Sequence, residues 1–193
     1  YTIVLGKTQA DYTWNHLIPY NLNGGEDVTI SDLDVVRSDF YESIDNAAMF
    51  WEIPSIQAFH SVVPGSIMDF YESIGVTRNV ASRPDTTHYA LRGLTSVRWL
   101  FDDDSDGKYF GGTDDATPEM PGWIYYGNQN GYDIWENLYY IPMGFTYDQY
   151  VTQDEYEDCT QSHREQLMLK AIVLSDEQVE KYGYLYQHGD MSS

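Results

Sequence analysis

The sharpest chemical pattern in the chain is the run Asp102-Asp103-Asp104-Ser105-Asp106-Gly107. Asp102, Asp104 and Asp106 stand on alternate residues, and Gly107 follows them, as in the first half of a calcium-binding loop. Calcium is a hard cation and takes oxygen ligands. Carboxylates on alternate residues can converge on it if a glycine permits the sharp turn. The twelfth position of such a loop is a bidentate Glu, but here it is Thr113, followed by Asp114 and Asp115. A calcium site and a solvated acidic loop are therefore both open readings, and calcium is the one cofactor the chain suggests.

The histidines His16, His60, His88, His163 and His188 show no HExxH spacing and no Cys/His ladder, so zinc is not indicated. His60 and Ser61 lie in an aromatic-rich stretch with Trp51, and these three are candidate ligand-binding residues. The 18 tyrosines and five tryptophans could stack on sugar faces, or could supply the core and the sheets. The lone Cys159 rules out an intrachain disulfide. His163, four residues on, would be one helical turn from it, which is the only hint of a reactive thiol. There is no nucleophile elbow, P-loop or dinucleotide fingerprint, so no catalytic residue is assigned.

Ten Lys and Arg against 31 Asp and Glu give a net charge of -21, which argues against nucleic acid and against an anionic membrane surface as direct partners. No run of 18 apolar residues occurs, so nothing in the chain reads as a membrane span. The first residue is Tyr1, so the chain is expected to be a fragment of a longer protein. A length of 193 residues suits one domain, with residues 1–30 as a peripheral segment and 184–193 as a frayed tail.

The elements that would position these groups can be read from local patterns. A short helix face is expected around Tyr12–Ile18, a strand within 35–44, and extended structure over 46–61. A helix is expected from Pro64 to Ile74, stopped by Gly75, with Ile67, Phe70, Tyr71 and Ile74 on one face. A short helix should end near Gly93, followed by a strand from Ser96 to Phe101 and a long acidic loop to Gly122. The strands 123–126 and 132–136 should form a hairpin through Gly127–Gly131, with a further strand at 144–147. Thr152 and Glu155 have capping-box spacing at the head of a helix running to Leu169. Residues 171–174 suit a strand or helix end, and Ser175 should cap a last helix closed by Gly183. The hexapeptide Asp-Phe-Tyr-Glu-Ser-Ile occurs at 39–44 and at 69–74. Its flanks differ, so it reads as a coincidence, with the first copy a strand and the second a helix. The predicted class is α+β, with a mixed, largely antiparallel sheet and flanking helices.

An ordered set of segments resembles the YfhO family of bacterial membrane proteins. It begins with Asn46-Ala47-Ala48-Met49, Ser55-Ile56-Gln57-Ala58-Phe59-His60-Ser61 and Phe70-Tyr71. It continues through Leu94-Thr95-Ser96-Val97-Arg98-Trp99-Leu100, Ile134-Trp135-Glu136-Asn137 and Ile141-Pro142-Met143-Gly144-Phe145 to Arg164-Glu165-Gln166-Leu167-Met168-Leu169-Lys170-Ala171. Trp99 and Trp135 stand where Tyr is commoner in the family, and the acidic stretch 102–122 is not a familiar family feature. The resemblance implies a polytopic protein of glycosyltransferase type, using a lipid-linked sugar donor on cell-envelope polymers. This chain would then be an accessory domain on the extracytoplasmic face of the bacterial cell membrane. Its partners would be the membrane-embedded portion of the same polypeptide and a cell-envelope glycan, and its own catalytic role would be none. A stand-alone surface carbohydrate-binding module is the competing expectation, and a soluble hydrolase with a carboxylate pair is a third.

Overall fold

A strand apolar on both faces is fit for the middle of a sheet covered on both sides, and Val97–Asp103 (β4) is such a strand, with Trp99, Leu100 and Phe101 all at most 1% exposed. The structure, a computed structural model, describes residues 24–43, 45–77, 81–103, 107–111 and 117–189. The expected helix around residues 12–18 lies outside them. In the main sheet, β4 pairs in parallel with β1 (Arg37–Tyr41) and antiparallel with β6 (Tyr132–Asn137), which pairs in turn with β5 (Trp123–Gln129). The order β1-β4-β6-β5, with helices around it, makes the fold α+β with a mixed, mostly antiparallel sheet, as the sequence predicts.

Side-chain alternation divides the core between the two faces of this sheet. Phe40, Trp99, Phe101, Tyr132 and Ile134 form one cluster with Trp51, while Leu100, Phe110, Met120, Trp123 and Trp135 form the other. Trp51 meets Phe40, Phe101 and Tyr132 edge to face at about 5 Å. Gly25 is needed beneath it, because a Cβ there would lie 2.5 Å from the Trp51 ring.

The parallel pair β1–β4 requires a crossover, and residues 42–96 supply it. It holds the one-turn helix α1 (Ala47–Phe50), β2 (Ala58–Phe59), α2 (Gly65–Ser73), β3 (Ala81–Ser82) and α3 (Tyr89–Leu94). The α1 turn falls in the stretch expected to be extended. Strands β2 and β3 pair antiparallel with each other. Tyr71, Ile74, Val76 and Leu91 form a third cluster, joined by Phe70 and Met168.

The expected hairpin is present but tighter. Gly127 stays inside β5, beside a bulge between Tyr125 and Gly127, and the turn is Asn130-Gly131 with φ of 50° and 77°. Both turn residues occupy the left-handed region, as a two-residue turn of this twist demands. The strand expected at 144–147 lies instead at β7 (Gln149–Thr152), because the parallel partners β8 (Ile172–Leu174) and β9 (Gln187–His188) stand opposite those residues. Strand β9 falls within the stretch expected to fray.

The helix expected from Thr152 to Leu169 is two helices, α4 (Gln153–Asp158) and α5 (Arg164–Lys170). Cys159 breaks them apart with an extended backbone. Arg164 then donates to the carbonyls of Cys159 and Glu157, taking up acceptors the break leaves open. The Thr152–Glu155 capping box is present. So is a second one, Ser175–Gln178, at the head of α6 (Asp176–Tyr182).

Candidate functional site

Helix α2 carries its apolar residues on one face, but that face is covered unevenly. Tyr71 in its last turn and Ile74 at its C-cap are buried, whereas Ile67 is 41% exposed. The uncovered part opens on a groove of about 630 Å³. The chain entering α2 supplies His60, Val62, Val63 and Pro64, and α2 itself supplies Ser66, Ile67 and Phe70. From the main sheet, Arg37 at the start of β1 and Thr95 just before β4 reach the same groove. Arg37 is half-buried, and its Nη1 donates to the Thr95 carbonyl at 2.7 Å. The N-terminus of α2 has Pro64 as its cap residue, with no side-chain cap and no acid in its first turn. By contrast, α4 and α6 each carry a capping box and two acids there. The uncapped N-terminus of α2 and the Arg37 guanidinium thus both present positive ends at the groove.

The structure brings His60 to this groove and leaves Ser61 exposed beside it. Trp51 is elsewhere: it is 6% exposed in the main core, where its faces meet other rings and no sugar can stack on it. Arg37, the one Lys or Arg among the described residues that line the groove, is not a residue the sequence singles out. Its signal is its isolation between Val36 and Ser38 in an acid-rich chain.

A second, smaller cleft of about 190 Å³ lies over Asp39 and Arg92. Asp39 Oδ2 accepts from Arg92 Nε at 3.0 Å, and Oδ1 accepts from the Phe40 amide and from Gln57 Nε2. Arg92 also donates to the carbonyls of Pro84, Asp85 and His88. This network spends its donors on the crossover, so its work is to fasten residues 84–92 to β1. At the rim, burial pushes the Tyr41 phenol well up, and the Glu119 carboxylate that accepts its hydrogen bond pushes in the same direction. The Thr87 hydroxyl holds the Asp85 carboxyl below its ordinary value.

Of the calcium candidates, Asp104 and Asp106 lie outside the described residues. Asp102 is 2% exposed, and its Oδ2 accepts from the Phe110 amide at 2.7 Å, closing the root of the acidic loop. Gly107 has φ of 76°, the conformation its place in the pattern calls for. Among the described residues no cluster of three or more His, Cys, Asp or Glu could hold a metal. Cys159 and His163 are on opposite sides of the helix break, and His163 Nδ1 is 2.6 Å from Thr160 Oγ1, so the sequence hint of a thiol–imidazole pair on one helix is lost.

In comparison with known proteins, the family model described as bacterial membrane protein YfhO matches residues 32–191. No curated protein and no solved structure matches the chain. Among the described residues no helix is long and apolar enough to cross a membrane.

Proposed function

Because the chain belongs to the YfhO family of bacterial membrane proteins, we propose that it is an accessory region of a polytopic, glycosyltransferase-type parent, lying on the extracytoplasmic face of the membrane. In this reading the membrane-embedded portion of the same polypeptide performs sugar transfer from a lipid-linked donor to a cell-envelope polymer. The region described here binds or orients material at the membrane surface. The family match carries the reading. The net charge of -21 supports a water-facing position held by the polypeptide rather than by adhesion to anionic lipid. The groove beside α2 is the place where a ligand would sit.

The test is side-specific labelling of the full-length protein in intact cells. A cysteine introduced at the exposed Glu177, in a background without other cysteines, should react with a membrane-impermeant maleimide before the cells are opened. Reaction only after lysis would overturn the placement.

A second reading, a stand-alone carbohydrate-binding module, draws on Tyr125 and Tyr126, each 50% exposed on β5. Binding of the purified chain to a glycan array, lost in Tyr125→Ala, would favour it. Silence on the array would leave the accessory role as the better account.

A further inference from the structure

We propose that the groove beside α2 binds an apolar monocarboxylate, a molecule with one carboxylate head and a hydrocarbon body. Its volume of about 630 Å³ falls within the roughly 300–1,000 Å³ of small-molecule sites. Its walls are the hydrocarbon that the fold leaves uncovered: Val62 at 90% exposure, Ile67 at 41%, and half-buried Val63 and Phe70. Burying such surface against an apolar ligand is worth about 25 cal/mol per Å² before the costs of association.

The head group follows from Arg37. In this acid-rich chain the other described arginines are committed. Arg83 meets Asp45, Arg92 meets Asp39, and Arg98 meets Glu136. Arg164 donates to the carbonyls of Ser73, Glu157 and Cys159 and lies over the Tyr156 ring. Among the described residues the Arg37 side chain makes one hydrogen bond, to Thr95 O, and no carboxylate pairs with it. A guanidinium carries five N–H donors in a planar fork, and a carboxylate takes two of them in parallel. One cation compensates one negative charge. A dianionic head would keep an uncompensated charge in the field of a chain at -21, so the site selects a monoanion. An uncharged head would leave the guanidinium half-buried and unpaired beside the ligand.

The inference concerns the chain's own groove and is separable from the membrane placement. Failure of the labelling in cells leaves it standing, and its failure leaves the family reading standing. The experiment is calorimetric titration of the purified 193-residue chain with sodium decanoate, below the concentration at which it forms micelles. Saturable one-to-one binding is expected. Decanol, which has the body without the charge, and acetate, which has the head without the body, should each bind at least about tenfold more weakly. Arg37→Gln should lose about tenfold or more, as expected for removing a charged hydrogen-bond partner. Val62→Asp is the second variant. Its side chain is solvent-exposed, so folding should be untouched, and the new charge should weaken decanoate more than decanol. Three outcomes would overturn the proposal: no saturable decanoate binding; decanol as tight as decanoate with both variants unchanged; or decyl phosphate tighter than decanoate, which would assign the groove to a phosphate head.

Discussion

The two copies of Asp-Phe-Tyr-Glu-Ser-Ile are the same chemistry in two environments. Residues 39–41 lie in β1, where Asp39, Phe40 and Tyr41 stand opposite Leu100, Phe101 and Asp102. Residues 69–73 lie in α2, and Gly75 follows with φ of 85°. With a period of two, Phe40 faces the core and is 2% exposed, while Asp39 faces the other way into the Arg92 network. With a period of 3.6, Tyr71 and Ile74 become the buried pair, Phe70 is half-buried, and Asp69 is exposed. The first copy follows Val35-Val36 and has a partner strand. The second follows Pro64-Gly65, which opens a helix, and packs on Leu91 and Met168. Six residues carry too little preference to decide; flanks and partners do.

Substitutions at matched positions test that difference, beginning with the largest. Asp39→Ala strands the buried Arg92 guanidinium and should cost roughly 3–5 kcal/mol. Asp69→Ala should fall within about 0.5 kcal/mol of the parent. Urea unfolding measures both, and equal losses would break the comparison. Phe40→Ala removes a ring packed on Trp51 and Phe101 and should cost about 3–4 kcal/mol. Phe70→Ala, half-buried, should cost about half as much.

The helical copy has a stop signal of its own, which the strand copy lacks. A Cβ on Gly75 would meet the Gln161 side chain at 2.9 Å and would force a side-chain residue into positive φ. Gly75→Ala should therefore cost about 1–2 kcal/mol. Its effect on amide exchange should fall on 69–73 and spare 39–41.

The smallest effect is on the acid side. Burial works to raise the Glu155 carboxyl, but hydrogen bonds from the Thr152 amide, His188 and the Thr152 hydroxyl outweigh it and leave the group below its ordinary value. A depressed carboxyl stabilises the fold above its unfolded value, near 4.5, and that contribution is lost as pH falls through the lower folded value. Glu155 caps α4, and Tyr156 of α4 shares a hydrogen bond with Ser73 Oγ of the helical copy. On acidification, protection factors at 71–73 should drop before those at 39–41. Glu155→Gln should remove that acid step at a cost of about 1 kcal/mol at neutral pH.

What was legible in the sequence was the chemistry of neighbours. The Thr152–Glu155 capping box, Ser175 as a cap, Gly75 as a stop and the strand after Ser96 depend on residues within a few positions, and they are where the pattern puts them. Where distant partners decide, the reading slipped. Gly127 looks like a turn residue, but the ladder with β6 carries it through the strand. Phe145-Thr146-Tyr147 alternates like a strand, yet the residues opposite Ile172 and Val173 are Tyr150 and Val151. The candidate site was legible only in part. His60 stands at the groove by its place before Pro64, whereas Trp51, an aromatic that reads equally as a binding surface, is buried in the core. Arg37 and Thr95 come together only because β1 and β4 are adjacent, which no local pattern announces.

That adjacency has a kinetic consequence. The β5–β6 hairpin and its pairing with β4 join segments close along the chain, so they can assemble early. Strand β1 can dock only once the whole of residues 42–96 has been looped back, which carries a loop-closure entropy that the hairpin avoids. The groove draws Arg37 from the docking strand, Thr95 from the edge of the early sheet and Ile67 from the loop between them. It therefore exists only after that late event. A molecule bound there ties the returning strand to the segment that brought it back, so its binding energy should appear as slower undocking of β1 rather than as faster folding.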